Sequence, residues 1–167
     1  MLMGKLELVQ ESDNLSIYSP KFEGENLTEF EKFLAACGNL PFPLRKDFDA
    51  IVSVISKMVN DCGARENLFR LEGGNIKAVP LFVERPRAGS VGMLRLYCIR
   101  ISDRLLIIGN GGIKKTRTYQ GDSVLCAFVD ELRRIEHEIF LEAKKTNKDY
   151  DDFAAMKLII ETITINK

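Results

Sequence analysis

Apolar residues are spaced along this chain in three ways, and each way predicts an element. From Lys5 to Gln10 and from Leu15 to Ser19 apolar and polar side chains alternate on either side of Ser12-Asp13-Asn14, which predicts a short hairpin. Thr28 and Glu31 then stand at capping-box spacing, where hydroxyl and carboxylate each take a free backbone N–H. Phe30, Phe33, Leu34 and Cys37 follow at helical spacing, and Gly38 closes that helix. Pro41 and Pro43 bar its continuation, because proline lacks the N–H that a helix interior needs. A second helix carries the longest apolar stripe: Leu44, Phe48, Ile51, Val52, Ile55, Met58, Val59 and Cys62, ended by Gly63.

The middle of the chain changes to strand-like runs. Ile76 to Val83 predicts a strand, with Pro80 confining it to an edge or a bulge. Glu84 to Gly92 is a long connection carrying Pro86, Gly89 and Gly92. Leu94 to Ile101 and Arg104 to Ile108 are two strands joined by Ser102-Asp103, and the four successive apolar residues Leu105 to Ile108 suit a central strand covered on both faces. Gly109-Asn110-Gly111-Gly112 provides backbone freedom at a turn or bulge and lacks the spacing of a nucleotide-binding fingerprint. Asp122 or Ser123 caps a long helix whose stripe is Leu125, Phe128, Leu132, Ile135 and Ile139, and the polar stretch Lys144 to Asp152 ends it. In the tail, Phe153, Met156 and Ile160 suit a helix, while Glu161 to Ile165 alternates β-branched residues as a strand does.

Helices, then an antiparallel sheet, then another helix predict one α+β domain over residues 1–167. Its parts are an N-terminal hairpin (1–20), two helices (28–63), an antiparallel meander (68–109), a long helix (122–145) and a tail (150–167). The expected sheet has about four or more strands with helices packed on one face, leaving the other face to a ligand.

An apolar content of 46% is enough for a real core. No run of about 18 apolar residues predicts a membrane span, and Met1 to Glu7 lacks the apolar stretch of a signal peptide, so a cytoplasmic protein is expected. Cys37, Cys62, Cys98 and Cys126 lie far apart and fall on apolar faces, as reduced core residues do. Net charge is zero but unevenly spread. Residues 77–119 hold nine Lys/Arg against two Asp/Glu, a balance of +7, while residues 1–66 carry −4 and residues 120–167 carry −3. A local basic surface on a neutral protein would suit an anionic partner.

Arg95 and Tyr97 share one face of their strand, opposite Leu94, Leu96 and Cys98. An arginine there can bind a phosphate while the ring stacks on a base, and a half-solvated sheet face is the plainer alternative. Lys114, Lys115, Arg117 and Tyr119 crowd the end of the next strand as a phosphate pocket or as a solvated approach to the following helix. His137, the single histidine, sits among Glu136 and Glu138 as a surface residue, so no Ser/His/Asp or Cys/His arrangement can be built on it. No carboxylate cluster has metal-ligand spacing, and neither metal nor cofactor is expected.

The stretch Leu68-Phe-Arg-Leu-Glu-Gly-Gly74, the Leu94–Ile101 strand, the apolar strand after it and Ile113-Lys-Lys-Thr116 resemble, in this order, the core of the RelE/HigB-like ribonuclease toxin superfamily. The resemblance runs from about Leu15 to Leu132 and implies a RelE-like fold and a metal-independent endoribonuclease, or an RNA-binding relative, of toxin–antitoxin systems. RNA or the ribosome and an antitoxin protein are the partners it implies. Carried over residue by residue, it gives Arg95 the phosphate, matches Lys115 and Arg117 to a basic cluster, and places Tyr119 near a base-stacking or catalytic tyrosine. Lys77, Tyr97 and Lys114 would contact RNA. The zero net charge, the Glu84–Gly92 insertion and the added terminal segments fit an alternative, a catalytically silent protein-interaction module on the same fold.

Overall fold

Local chemistry starts each helix where the sequence places it. In the computed structural model, which describes residues 2–81, 93–115 and 119–167, the Thr28 hydroxyl accepts the Glu31 N–H and the Glu31 carboxylate accepts the Thr28 N–H. This capping box opens α1 (Glu29–Cys37), and Gly38 ends it. Pro43 precedes α2 (Leu44–Lys57), which runs on into a π-type turn, Met58–Cys62, where the Gly63 N–H donates to the Met58 carbonyl. The Asp122 carboxylate accepts from Val124 and Leu125 to start the long α3 (Ser123–Lys145), and Asp152 does the same through Ala155 for α4 (Phe153–Thr162). Polar side chains thus satisfy N–H groups that a helix start leaves open.

Seven strands among the described residues form one sheet: β1 (Met3–Glu11), β2 (Ser16–Phe22), β3 (Arg70–Leu71), β4 (Ile76–Val79), β5 (Met93–Ser102), β6 (Leu105–Lys114) and β7 (Thr164–Asn166). Their spatial order is β3-β4-β5-β6-β2-β1-β7, and only the β2–β6 contact is parallel. The tail is both of the things its pattern suggested, a helix and then a strand, and β7 pairs with β1. β4 stops at Val79, shorter than the expected strand to Val83, since Pro80 and Leu81 are not strand; residues 82–92, with the Glu84–Gly92 connection, lie outside the described residues.

The α+β class and the antiparallel meander are present, but helices pack on both sheet faces. Phe33, Ile51 and Met58 of α1, α2 and the turn after it cover Leu96, Leu106 and Ile108. On the other face Leu132, Ile135 and Ile139 of α3, with Met156 and Ile160 of α4, cover Tyr97, Ile99 and Ile107. The expectation of one open face is therefore corrected. Its cause is the apolar character of both faces of β5 and β6, which would cost roughly 25 cal/mol for each Å² left in water. Each fully buried side chain in either layer contributes about 1.5–3 kcal/mol.

Gly109 to Gly112 hold the bulge that their glycines suggested, set within β6, which runs on to Lys114 past the expected end at Ile108. Leu96 pairs with Gly111 and Cys98 with Ile108, so Gly109 and Asn110 together oppose the single Tyr97 in a β-bulge. The chains approach so closely there that a Cβ on residue 111 would lie 1.9 Å from the Arg95 carbonyl oxygen. Only glycine fits. Of the cysteines, Cys37 and Cys98 are buried, whereas Cys62 and Cys126 are only partly covered.

Candidate functional site

Strand parity does place Arg95 and Tyr97 on one face, and it is the face beneath α3. Across the ladders Arg95 opposes Gly112, Met93 opposes Lys114, Tyr97 opposes Ala78, and Ala78 opposes Arg70. Directly paired residues point to the same side, and so do residues two apart on a strand. Arg70, Tyr97, Arg95 and Lys114 therefore gather on the α3 side of the β3–β6 half of the sheet.

Arg95, Tyr97 and Lys114 are deeply buried, whereas the Arg70 side chain is 41% exposed. Arg95 is 1% exposed, the largest side chain wholly enclosed among the described residues, and Lys114 is 3% exposed. The Arg95 guanidinium donates to its own neighbour's carbonyl, Leu94, at 3.1 Å and to the Met93 sulfur at 3.7 Å, while its Nε is sealed from solvent without a hydrogen bond. Arg70 Nε lies 3.5 Å from a carboxylate oxygen of Glu72, just past β3. The Glu72 side chain is 7% exposed, and that oxygen is also enclosed without a hydrogen bond. Among the described residues, no carboxylate forms an ion pair with Arg95 or Lys114.

The electrostatics agree with the geometry. Burial lowers the proton affinity of Arg95, and the neighbouring Arg70 lowers it further, against the opposing fields of Glu72, Tyr97 and Asp47. Burial likewise pulls Lys114 down, with Glu72 acting against it and Arg70 and Arg95 adding to it. Guanidinium keeps its proton under any such shift, so Arg95 stays charged. Glu72 is thus the carboxylate among these three cations on their own face, with the field of Asp47 reaching Arg95 from the α2 side. Burying charge without a partner is costly, and a cluster short of negative charge is relieved when an oxyanion enters. Arginine presents a planar fork to two such oxygens, and lysine adds a point charge.

The remaining expected site residues fall elsewhere. Lys77 has the opposite parity to Ile76 and Ala78 and points to the α2 side with Val79, so it does not join Arg95. Its carbonyl accepts from the Cys98 sulfur at 3.7 Å. Lys115 is exposed immediately beyond β6. Arg117 lies outside the described residues, and Tyr119 opens the short 3-10 turn Tyr119–Gly121 that leads into α3. Tyr97 is 0% exposed and part of the α3-side core, which corrects its expected place on an open face. No base can stack on the ring where it stands.

Sequence reasoning missed Arg70 and Glu72 as site residues, although their signal was present. The two stand at i, i+2 in a strand-like run, so they share a face. His137 is exposed on α3, and among the described residues no group of three His, Cys, Asp or Glu side chains could hold a metal ion. No helix of the described residues is long and apolar enough to cross a membrane. No protein-family model matches the chain, and neither does any curated protein or solved structure.

Proposed function

We propose that the pocket of Arg70, Arg95 and Lys114 binds a phosphate of an RNA backbone, and that the chain is a toxin-like endoribonuclease or RNA-binding relative of the RelE/HigB-like toxins. The observation that carries this is a pair of buried cations, Arg95 and Lys114, with no ion-pair partner among the described residues, beside the half-exposed Arg70 and its partner Glu72. Folding alone gains nothing from such an imbalance, since apolar residues of like volume would be at least as stable there. A phosphodiester supplies what the pocket lacks, an oxyanion for the guanidinium fork and the ammonium. In cleavage the same cations would stabilise the charge that grows on the phosphoryl oxygens as a 2′-hydroxyl attacks. The exposed Lys115 at the end of β6 would extend the contact along the strand of RNA.

A catalytically silent protein-interaction module is the alternative, and one observation favours it. Arg95 and Tyr97 are covered by α3, so neither is open to a ligand in the free protein. The two are separated by titrating a short fluorescent oligoribonucleotide with the purified protein at several salt concentrations, with and without a chelator. Binding that weakens steeply with salt, because released counterions drive it, supports the RNA role. Absence of binding at low salt favours the interaction module.

A further inference from the structure

Glu72 is the odd member of the pocket. A carboxylate placed among cations normally takes their hydrogen bonds, yet this one is enclosed with an oxygen that has none, 3.5 Å from Arg70 Nε. Arg95 Nε is enclosed and unpaired as well. This donor and this acceptor oxygen lie on the same side of the sheet, and neither atom has a hydrogen bond. A carboxylate tuned for a permanent ion pair would sit in contact with the guanidinium fork.

Its attachment to the fold is short, a turn closed by two backbone hydrogen bonds, from the Glu72 N–H to the Ile76 carbonyl at 3.0 Å and from the Ile76 N–H to the Gly73 carbonyl at 3.2 Å. β3 has two residues and lies at the sheet edge, paired only with β4. Immediately after Glu72 come Gly73 and Gly74, with φ of +105° and +57°. Two successive glycines in left-handed backbone can redirect the chain at little cost, so this short turn can swing the carboxylate away without breaking a long ladder.

We propose that Glu72 is a tethered stand-in for the anionic ligand: its carboxylate fills the Arg70–Arg95–Lys114 pocket in the free protein and is displaced when a phosphate group enters. The inference rests on the phosphate-binding role argued above and adds a gate to it. While Glu72 is seated, the cluster has a net charge of +2. Once it leaves, Arg70 joins the other two cations in facing the ligand with a charge of +3. Occupancy by the tethered carboxylate lowers apparent affinity by the fraction of time the pocket is empty, so a pocket open one-tenth of the time binds about tenfold more weakly. Weak ligands are thereby rejected, and a ligand with several phosphates anchored on neighbouring cations is favoured.

The test compares wild type, Glu72→Gln and Arg95→Ala for binding of a short fluorescent oligouridylate, with inorganic phosphate as competitor. The expected result is about tenfold tighter binding by Glu72→Gln, an increased potency of phosphate, and loss of binding in Arg95→Ala. If wild type binds and Arg95→Ala does not, but Glu72→Gln binds equally or more weakly, the gate is overturned and the phosphate site stands. If neither wild type nor Glu72→Gln binds, both fall. Should Glu72→Gln fail to fold, a crystal structure of wild type grown with inorganic phosphate decides. An anion between Arg95 and Lys114 with Glu72 withdrawn from Arg70 supports the gate, and any structure in which Glu72 remains on Arg70 beside bound phosphate overturns it.

Discussion

The carboxylate of Asp47 on α2 accepts the backbone N–H of Leu94 on β5 at 3.0 Å, inside the protein. β4 has already stopped where its Val79 pairs with Leu96, so among the described residues no strand on that side takes the Leu94 N–H. A helix side chain thus finishes the ladder next to Arg95. Leaving a buried backbone donor unpaired costs about 1–3 kcal/mol. Asp47→Ala is therefore expected to lose about 2 kcal/mol in urea denaturation, with Asp47→Asn, which keeps an acceptor, losing less. Equal stability of Asp47→Ala and wild type would show that water replaces the carboxylate.

Gly111→Ala is expected to be among the most damaging single-methyl additions in this chain. The added carbon meets the Arg95 carbonyl oxygen and, at 2.8 Å, the Leu96 Cα, both of them backbone atoms that cannot step aside. The β5–β6 bulge must open, which also disturbs Arg95. A loss above about 2 kcal/mol is expected from thermal or chemical unfolding, whereas Gly74→Ala, with no atom within 4 Å, meets only its positive φ.

Leu132→Ala and Ile55→Ala probe the two layers separately. Leu132 is wholly buried on the α3 side against Gly109, while Ile55 on α2 belongs to the opposite core and keeps slight exposure. Large-to-small changes at such sites cost about 2–5 kcal/mol, with Leu132 expected at the upper end and Ile55 at the lower. A loss below about 1 kcal/mol for either, by chemical denaturation, would mean that its layer is not a packed core.

How much of this could be seen in the sequence depended on how local each cause is. The capping box of Thr28 and Glu31 closes within four residues, and the stripes of α2 and α3 need only helical spacing, so these elements were legible. Gly109 to Gly112 was not read as strand because the need for glycine comes from the Arg95 carbonyl on a different strand. The apolar run Leu105 to Ile108 already demanded cover on both faces, which conflicts with helices on one face only. That conflict was readable and pointed to the right answer. Parity placed Arg95 with Tyr97 correctly, but their burial depends on where α3 crosses the sheet, and no local pattern encodes that crossing. Lys77 lies across the sheet from Arg95 because it alternates with Ala78, which pairs with Tyr97 on the Arg95 side.

Glu131 gives α3 a pH-dependent liability. Burial, with the nearby Glu29 adding to it, raises its carboxyl to about 7 against the pull of Lys167, Arg134 and Lys32. The folded state therefore prefers the protonated form. The sign follows directly: this contribution is complete below the unfolded value near 4.5 and is lost as pH rises through 7. Glu131→Gln, a neutral mimic of the protonated acid, is expected to be more stable than wild type at pH 8, by something on the order of 3 kcal/mol, and nearly equal to it at pH 4.5. Glu11, Glu25 and Glu31 have carboxyls held low by their partners and act in the opposite direction at more acid pH, so the window between 4.5 and 7 isolates Glu131. Parallel stability–pH curves for the two proteins in that window would place the carboxyl outside the core.

Arg95 separates function from stability. A buried cation without an ion-pair partner is costly, and Met is the unbranched apolar residue closest to it in length. Arg95→Met is expected to raise stability by about 1–3 kcal/mol in denaturant and to abolish oligoribonucleotide binding, the pattern of a residue retained for its chemistry. Arg95→Ala should lose binding too, at some cost in packing. Tyr119→Phe should retain binding; cleavage falls if the hydroxyl transfers a proton and changes little if the ring merely stacks. In bacteria, induced wild type is expected to slow growth and fragment total mRNA, with Arg95→Met expressed to the same level harmless. Equal growth and intact mRNA for both, with Arg95→Met still the more stable protein, would leave an anion pocket without nuclease action and make the protein-interaction module the better account of this fold.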